Sequence, residues 1–178
     1  MASASSVPPP APATPPARPR AWLALVGLLL ASFTASAIGG FATAANVRSW
    51  YPTLVKPEWN PPSWVFGPVW TVLYILMAVA AWRIWRRREA PGARAALLGH
   101  GAQLVLNAGW SLLFFGLRNP GAALVEILVL WTLLAWLFQR FRRIDPVAGW
   151  LWLPYLLWVS FATVLNATIW HLNSGGAP

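Results

Sequence analysis

The chain has no cysteine. Disulfides, thiolate nucleophiles and cysteine metal ligands are excluded, and the redox character of its compartment leaves no mark on it. Acid is nearly absent, with four Asp and Glu against thirteen Lys and Arg. Glu58, Glu89 and Asp145 fall in segments that read as loops, which leaves Glu126 as the one carboxylate inside an apolar run. The two histidines, His100 and His171, lie in different runs near opposite ends. There is no phosphate loop, nucleophile elbow or cluster of metal ligands, so the inventory does not support a hydrolase or a metalloenzyme. No internal repeat is visible, and an inverted-repeat transporter plan finds no support. Charge of either sign is scarce at 10%, where a soluble domain carries about a quarter.

What fills the chain is apolar. Of its 178 residues 58% are hydrophobic, with a mean hydropathy of +0.55. A water-soluble fold of this size has too little interior to hide that surface. The reading is an all-α integral membrane bundle of five transmembrane helices. A bilayer core needs about 20 apolar residues per helix, and five runs qualify: Ala21 to Ala45, Pro61 to Trp82, Ala95 to Leu117, Ala122 to Gln139 and Pro146 to Trp170. Residues 20–172 form the membrane domain. Residues 1–19 are Ala, Pro and Ser and read as a disordered tail, and 173–178 as a flexible end. Arg18 and Arg20 before an apolar run ending near Ala35-Ser36-Ala37 also fit a signal peptide, but the run continues to Ala45, too long for a typical one. Small residues Ser32, Ser36, Gly39, Gly40 and Thr43 recur along the first run and predict close helix packing.

The net charge of +9 would suggest nucleic acid if it lay in a patch. It does not. Ten arginines (Arg18, Arg20, Arg83, Arg86, Arg87, Arg88, Arg94, Arg140, Arg142 and Arg143) share one side if every run spans, against Arg48, Lys56 and Arg118 on the other. That is a positive-inside pattern. It predicts a cytoplasmic N-terminus, affinity for anionic lipid headgroups, and no nucleic-acid partner. An all-helical spanning protein belongs in a bacterial inner membrane, since outer membranes hold barrels.

Between the first two runs lies Trp50-Tyr51-Pro52 through Lys56-Pro57-Glu58-Trp59-Asn60-Pro61-Pro62-Ser63-Trp64. Its prolines forbid a continuous helix, so Tyr51 to Trp59 reads as an extended loop. Asn60 reads as the N-cap and Pro61 as the first residue of the second helix. Pro68 should kink or loosen that helix. A stiff Trp-rich loop suits a lid over a pocket, or equally an interfacial anchor. His100, Gln103, Asn107, Trp110 and Phe114 share one stripe of the third helix, and Tyr155, Trp158, Ala162, Asn166 and Ile169 one face of the fifth. Polar groups in lipid turn toward protein, water or ligand. Two readings stay open: an apolar cavity with a few hydrogen-bonding groups, or interhelical glue by Asn107 and Asn166. His100 fits a structural role. Glu126 is expected to cap a turn or pair with Arg118.

Three blocks resemble the translocator protein family (TspO/MBR), also called tryptophan-rich sensory proteins. They are Trp50-Tyr51, Lys56-Pro57, Trp59-Asn60-Pro61-Pro62 and Trp64 to Met77; Gln103-Leu104, Asn107, Trp110 and Phe114-Phe115-Gly116; and Pro154-Tyr155-Leu156, Trp158 and Ala162 to Asn166. The resemblance implies a receptor or sensor for porphyrins of the protoporphyrin IX type and related hydrophobic ligands, regulating tetrapyrrole handling. Porphyrin would be ligand, not cofactor. It also implies a frequent homodimer. Two alternatives accompany it, light-dependent porphyrin degradation and transport of tetrapyrroles or sterols. It carries ligand-binding positions onto Trp59, Asn60, Trp64, Asn107, Trp110, Trp158, Ala162 and Leu165. The sterol-recognition pattern of mammalian relatives lacks its Tyr and Arg in Val164 to His171, which puts sterol binding in doubt.

Overall fold

A computed structural model describes residues 21–175. The expected tail, Arg18 and Arg20, and Gly176 to Pro178 lie outside the described residues. Among the described residues the fold is all-helical: α1 (Ala21–Asn46), a 3-10 turn (Tyr51–Thr53), α2 (Ser63–Arg86), α3 (Ala93–Ser111) continued by a π turn (Leu112–Gly116), α4 (Pro120–Ile144) and α5 (Pro146–Ser174). Four of these, α1, α2, α4 and α5, are long and apolar enough to cross a membrane. The third is less apolar because its inner stripe carries His100, Gln103 and Asn107, all buried. Polar groups covered by protein leave the lipid-facing side free of them.

The helices alternate in direction. Around the bundle the packing order is α1, α2, α5, α4, α3 and back to α1, with α2 also touching α3 across the middle. The arginine-rich end is drawn tight. The Trp82 indole donates to the Ala21 carbonyl at 2.7 Å. The Asp145 carboxylate receives Arg83 at 2.9 Å and Arg87 at 2.8 Å, and its Oδ1 caps α5 by accepting from the Val147 and Ala148 amides. A Cβ at Gly149 would lie 2.7 Å from Arg142 Cα. Only glycine lets α5 start that close to the end of α4. The core of this half is Met77, Ile84, Leu134, Leu137, Phe141 and Trp152, all fully buried.

Several boundaries differ from expectation for identifiable reasons. Asn60 does not cap α2. The helix begins at Ser63 after Pro62, which has no side-chain cap bond. Asn60 instead accepts the Tyr51 hydroxyl at 2.8 Å and donates to the Pro61 carbonyl at 3.2 Å, so its side chain is spent inside the loop. That loop is not extended throughout, because Tyr51–Thr53 form a 3-10 turn. The cap-then-proline pattern is realised at α4, where Asn119 accepts from the Ala122 amide and Pro120 follows. Glu126 neither caps that turn nor meets Arg118. Arg118 donates through Nε to Asn46 at 3.0 Å, and both Glu126 oxygens lack a hydrogen-bond partner among the described residues. The fifth helix continues to Ser174, and the Asn173 amide both accepts from Val55 N and donates to Val55 O. The loop is thereby fastened to the far end of α5.

Candidate functional site

At the end opposite the arginines the bundle opens into a cavity of about 750 Å³ with contributions from all five helices. The π turn helps to make it. Leu117 N donates to Leu112 O at 2.8 Å, and the widened turn buries the adjacent Phe114 and Phe115 together. Asn46 Nδ2 satisfies the Phe115 carbonyl at 2.8 Å. Trp110 stacks on Phe114 with ring centroids 5.0 Å apart. Its indole donates to Asn166 Oδ1 at 3.0 Å, and Asn166 donates in turn to the Pro120 carbonyl at 2.8 Å. The ring is therefore held rather than free to rotate.

Trp158 completes a second aromatic wall, edge-on to Phe66 at 5.9 Å and tilted against Phe161 at 5.6 Å. Asn107 is set from both sides. Its Oδ1 accepts the Tyr74 hydroxyl, and its Nδ2 donates to the Tyr155 hydroxyl at 3.1 Å. Tyr155 then donates to Gln103 Oε1 at 3.0 Å, and Gln103 reaches His100 Nδ1 at 3.4 Å. This chain fixes which way the Asn107 amide points, and Asn107 lines the cavity with donor and acceptor capacity beyond those two bonds.

The cavity is roofed at its outer end and open at the side. Tyr51 lines it from the loop, and burial pushes its phenol above the ordinary value, partly offset by the bond to Asn60. Lys56 folds back onto the carbonyls of Tyr51, Pro52 and Leu54, which stiffens the roof. Exposed lining residues are Gly40, Ala44 and Arg48 of the α1 segment and Ser63, Trp64, Gly67 and Thr71 of α2. The opening thus lies between α1 and α2, on the flank of the bundle.

Of the residues expected at a site, Trp64, Asn107, Trp110, Trp158, Ala162 and Leu165 line this one cavity. Trp64 is 75% exposed and stands at the opening. Trp59 and Asn60 do not line it. Trp59 packs behind the wall on Phe161 at 5.9 Å, and Asn60 braces Tyr51. The small residues of α1 divide their work: a Cβ on Gly39 would sit 3.0 Å from Ser111 Oγ, a packing contact, while Ser36, Gly40 and Thr43 also line the cavity. Sequence reasoning passed over Arg48, Tyr51, Trp70, Tyr74 and Phe161 as lining residues. Trp70 and Tyr74 were findable, since they follow Gly67 at helical spacing.

The family model described as the TspO/MBR family matches residues 15–171. This chain belongs to the TspO/MBR family. It is 42% identical over 153 residues to the tryptophan-rich protein TspO of Chlorobaculum tepidum, covering 83% of this chain and 92% of that protein. It is 39% identical over 147 residues to the tryptophan-rich sensory protein of Cereibacter sphaeroides, covering 82% and 91%. The human translocator protein is 35% identical over 156 residues, covering 86% and 92%. The TspO/MBR match spans every residue that lines the cavity, and the chain is accordingly a multi-pass membrane protein.

Proposed function

We propose that this TspO/MBR protein is a membrane receptor that binds tetrapyrroles of the protoporphyrin IX type and related flat hydrophobic ligands, and so regulates tetrapyrrole handling. The observation that carries the reading is the cavity of about 750 Å³ walled by four indoles, Trp64, Trp70, Trp110 and Trp158, with the oriented amide of Asn107 among them. Its size falls within the ordinary range of small-molecule pockets. Indole faces suit a planar macrocycle, and one amide suits a ring substituent. The names of its relatives, sensory and translocator proteins, agree with ligand handling at a membrane.

The test is a titration of the purified protein with protoporphyrin IX, followed by quenching of tryptophan fluorescence. Saturable binding is expected, weakened roughly three- to tenfold in Trp158→Ala. Absence of saturable binding, or an unchanged affinity in the variant, removes the reading.

The same proposal includes orientation in a bacterial inner membrane. Eight described arginines, from Arg83 to Arg143, crowd one end of the bundle against Arg48, Lys56 and Arg118 at the other, which supports a cytoplasmic arginine-rich end. Impermeant thiol labelling of single cysteines at Ser49 and at Glu89 in intact inner-membrane spheroplasts should modify the first and spare the second. The reverse pattern would invert the topology.

A further inference from the structure

We propose that Arg48 is the anion-recognising group of this cavity, and that the guest is a flat apolar molecule bearing a carboxylate. The inference deepens the reading above and rests on it. Among the described residues lining the cavity, Arg48 is the one formal charge, and no carboxylate lines it. The other two cations at this end are committed within the protein. Lys56 Nζ donates to three loop carbonyls at 2.7–3.3 Å, and Arg118 donates to buried Asn46. Arg48 has neither a hydrogen bond nor an ion pair with any described residue.

Its place matters as much as its charge. Arg48 stands two residues beyond the end of α1, a helix long and apolar enough to cross a membrane, at the edge of the gap between α1 and α2. Trp110 and Trp158, unlike Trp64, are partly buried. An amphipathic guest dissolved in the outer leaflet would present its ring to Trp110 and Trp158 while its acid group stayed at the surface. There a guanidinium offers paired parallel donors that match a carboxylate. A neutral sterol or hydrocarbon would leave that cation unused. A phospholipid phosphate shares the anionic chemistry, so the test has to separate the two.

Protoporphyrin IX is a dicarboxylate, and its dimethyl ester keeps the ring without the charge. Both are titrated against the wild-type protein, Arg48→Gln and Arg48→Lys in phosphatidylcholine nanodiscs, and again with phosphatidylglycerol added. The expected result is a fall of about fivefold in the acid-to-ester affinity ratio on Arg48→Gln, with the ratio largely restored in Arg48→Lys. Higher salt should lower acid affinity in the wild type and in Arg48→Lys, and leave it unchanged in Arg48→Gln. A ratio indifferent to Arg48→Gln overturns the proposal and leaves Arg48 to neutralise the C-terminal dipole of α1. A ratio that collapses once phosphatidylglycerol is present assigns the guanidinium to lipid phosphate and equally overturns it. If neither porphyrin binds, the tetrapyrrole reading falls, and pyrenebutyric acid with its methyl ester tests Arg48 separately. If neither acid of the two pairs binds, both readings fall together.

Discussion

Oδ1 of Asp145 accepts from two α5 amides and from Arg83, while Oδ2 faces Arg83 and Arg87. Burial by itself would raise the carboxyl. The hydrogen bonds from Arg83 and the Ala148 amide, with the charges of Arg83 and Arg87, outweigh it and hold the group below the usual carboxylate range. A carboxyl depressed in the fold contributes stability above its unfolded value, and that contribution is lost as pH falls through the folded one. Asp145→Ala should therefore cost about 3 kcal/mol at neutral pH, read as lowered thermal stability in detergent. Asp145→Asn should cost less, since Asn still caps a helix. Both deficits should shrink on acidification below the ordinary Asp range. A deficit independent of pH would mean the ion pairs contribute nothing. The sequence placed Asp145 in a basic turn, but not as its centre, because Arg83 and Arg87 come from α2, some sixty residues earlier. Local spacing does not report a partner that distant.

At the scale of elements, the five helices were legible because each is a long uncharged run between basic or proline-bearing turns. Their ends were less so. Asn60-Pro61 and Asn119-Pro120 read alike, yet only the second is a cap. The difference lies within the loop: Tyr51, nine residues earlier, donates to the Asn60 side chain and occupies it. The inward stripes of α3 and α5 were also legible, since polar residues at three- and four-residue spacing have one tolerable direction in lipid. The two readings left open there both hold in part. Asn166 joins Trp110 to the start of α4 as glue, while Asn107 is both bonded and at the cavity wall. The π turn had no signal, because nothing in Leu112-Leu113-Phe114-Phe115-Gly116 distinguishes a wide turn from an ordinary one. It nonetheless brings both phenylalanines into the wall.

The whole molecule is a bundle tight at one end and hollow at the other. Ion pairs, a close glycine contact and large aliphatic residues fill the arginine-rich half. Aromatic rings, small residues on α1 and a pinned loop surround space in the other. The tight half holds the helices in register, so the hollow half can stay open without collapsing. That division explains why six of the eight residues expected at a site converge on one cavity, while Trp59 and Asn60 support its roof. It also makes the central claim simple to test by taking the space away. Ala162 lines the cavity on α5, and a phenyl ring there would project into the space a flat guest needs. Protoporphyrin IX titrated against Ala162→Phe, with helical circular dichroism unchanged, should bind more than about tenfold more weakly than to the wild type. Equal affinity in a folded Ala162→Phe protein would place the guest elsewhere and contradict the account.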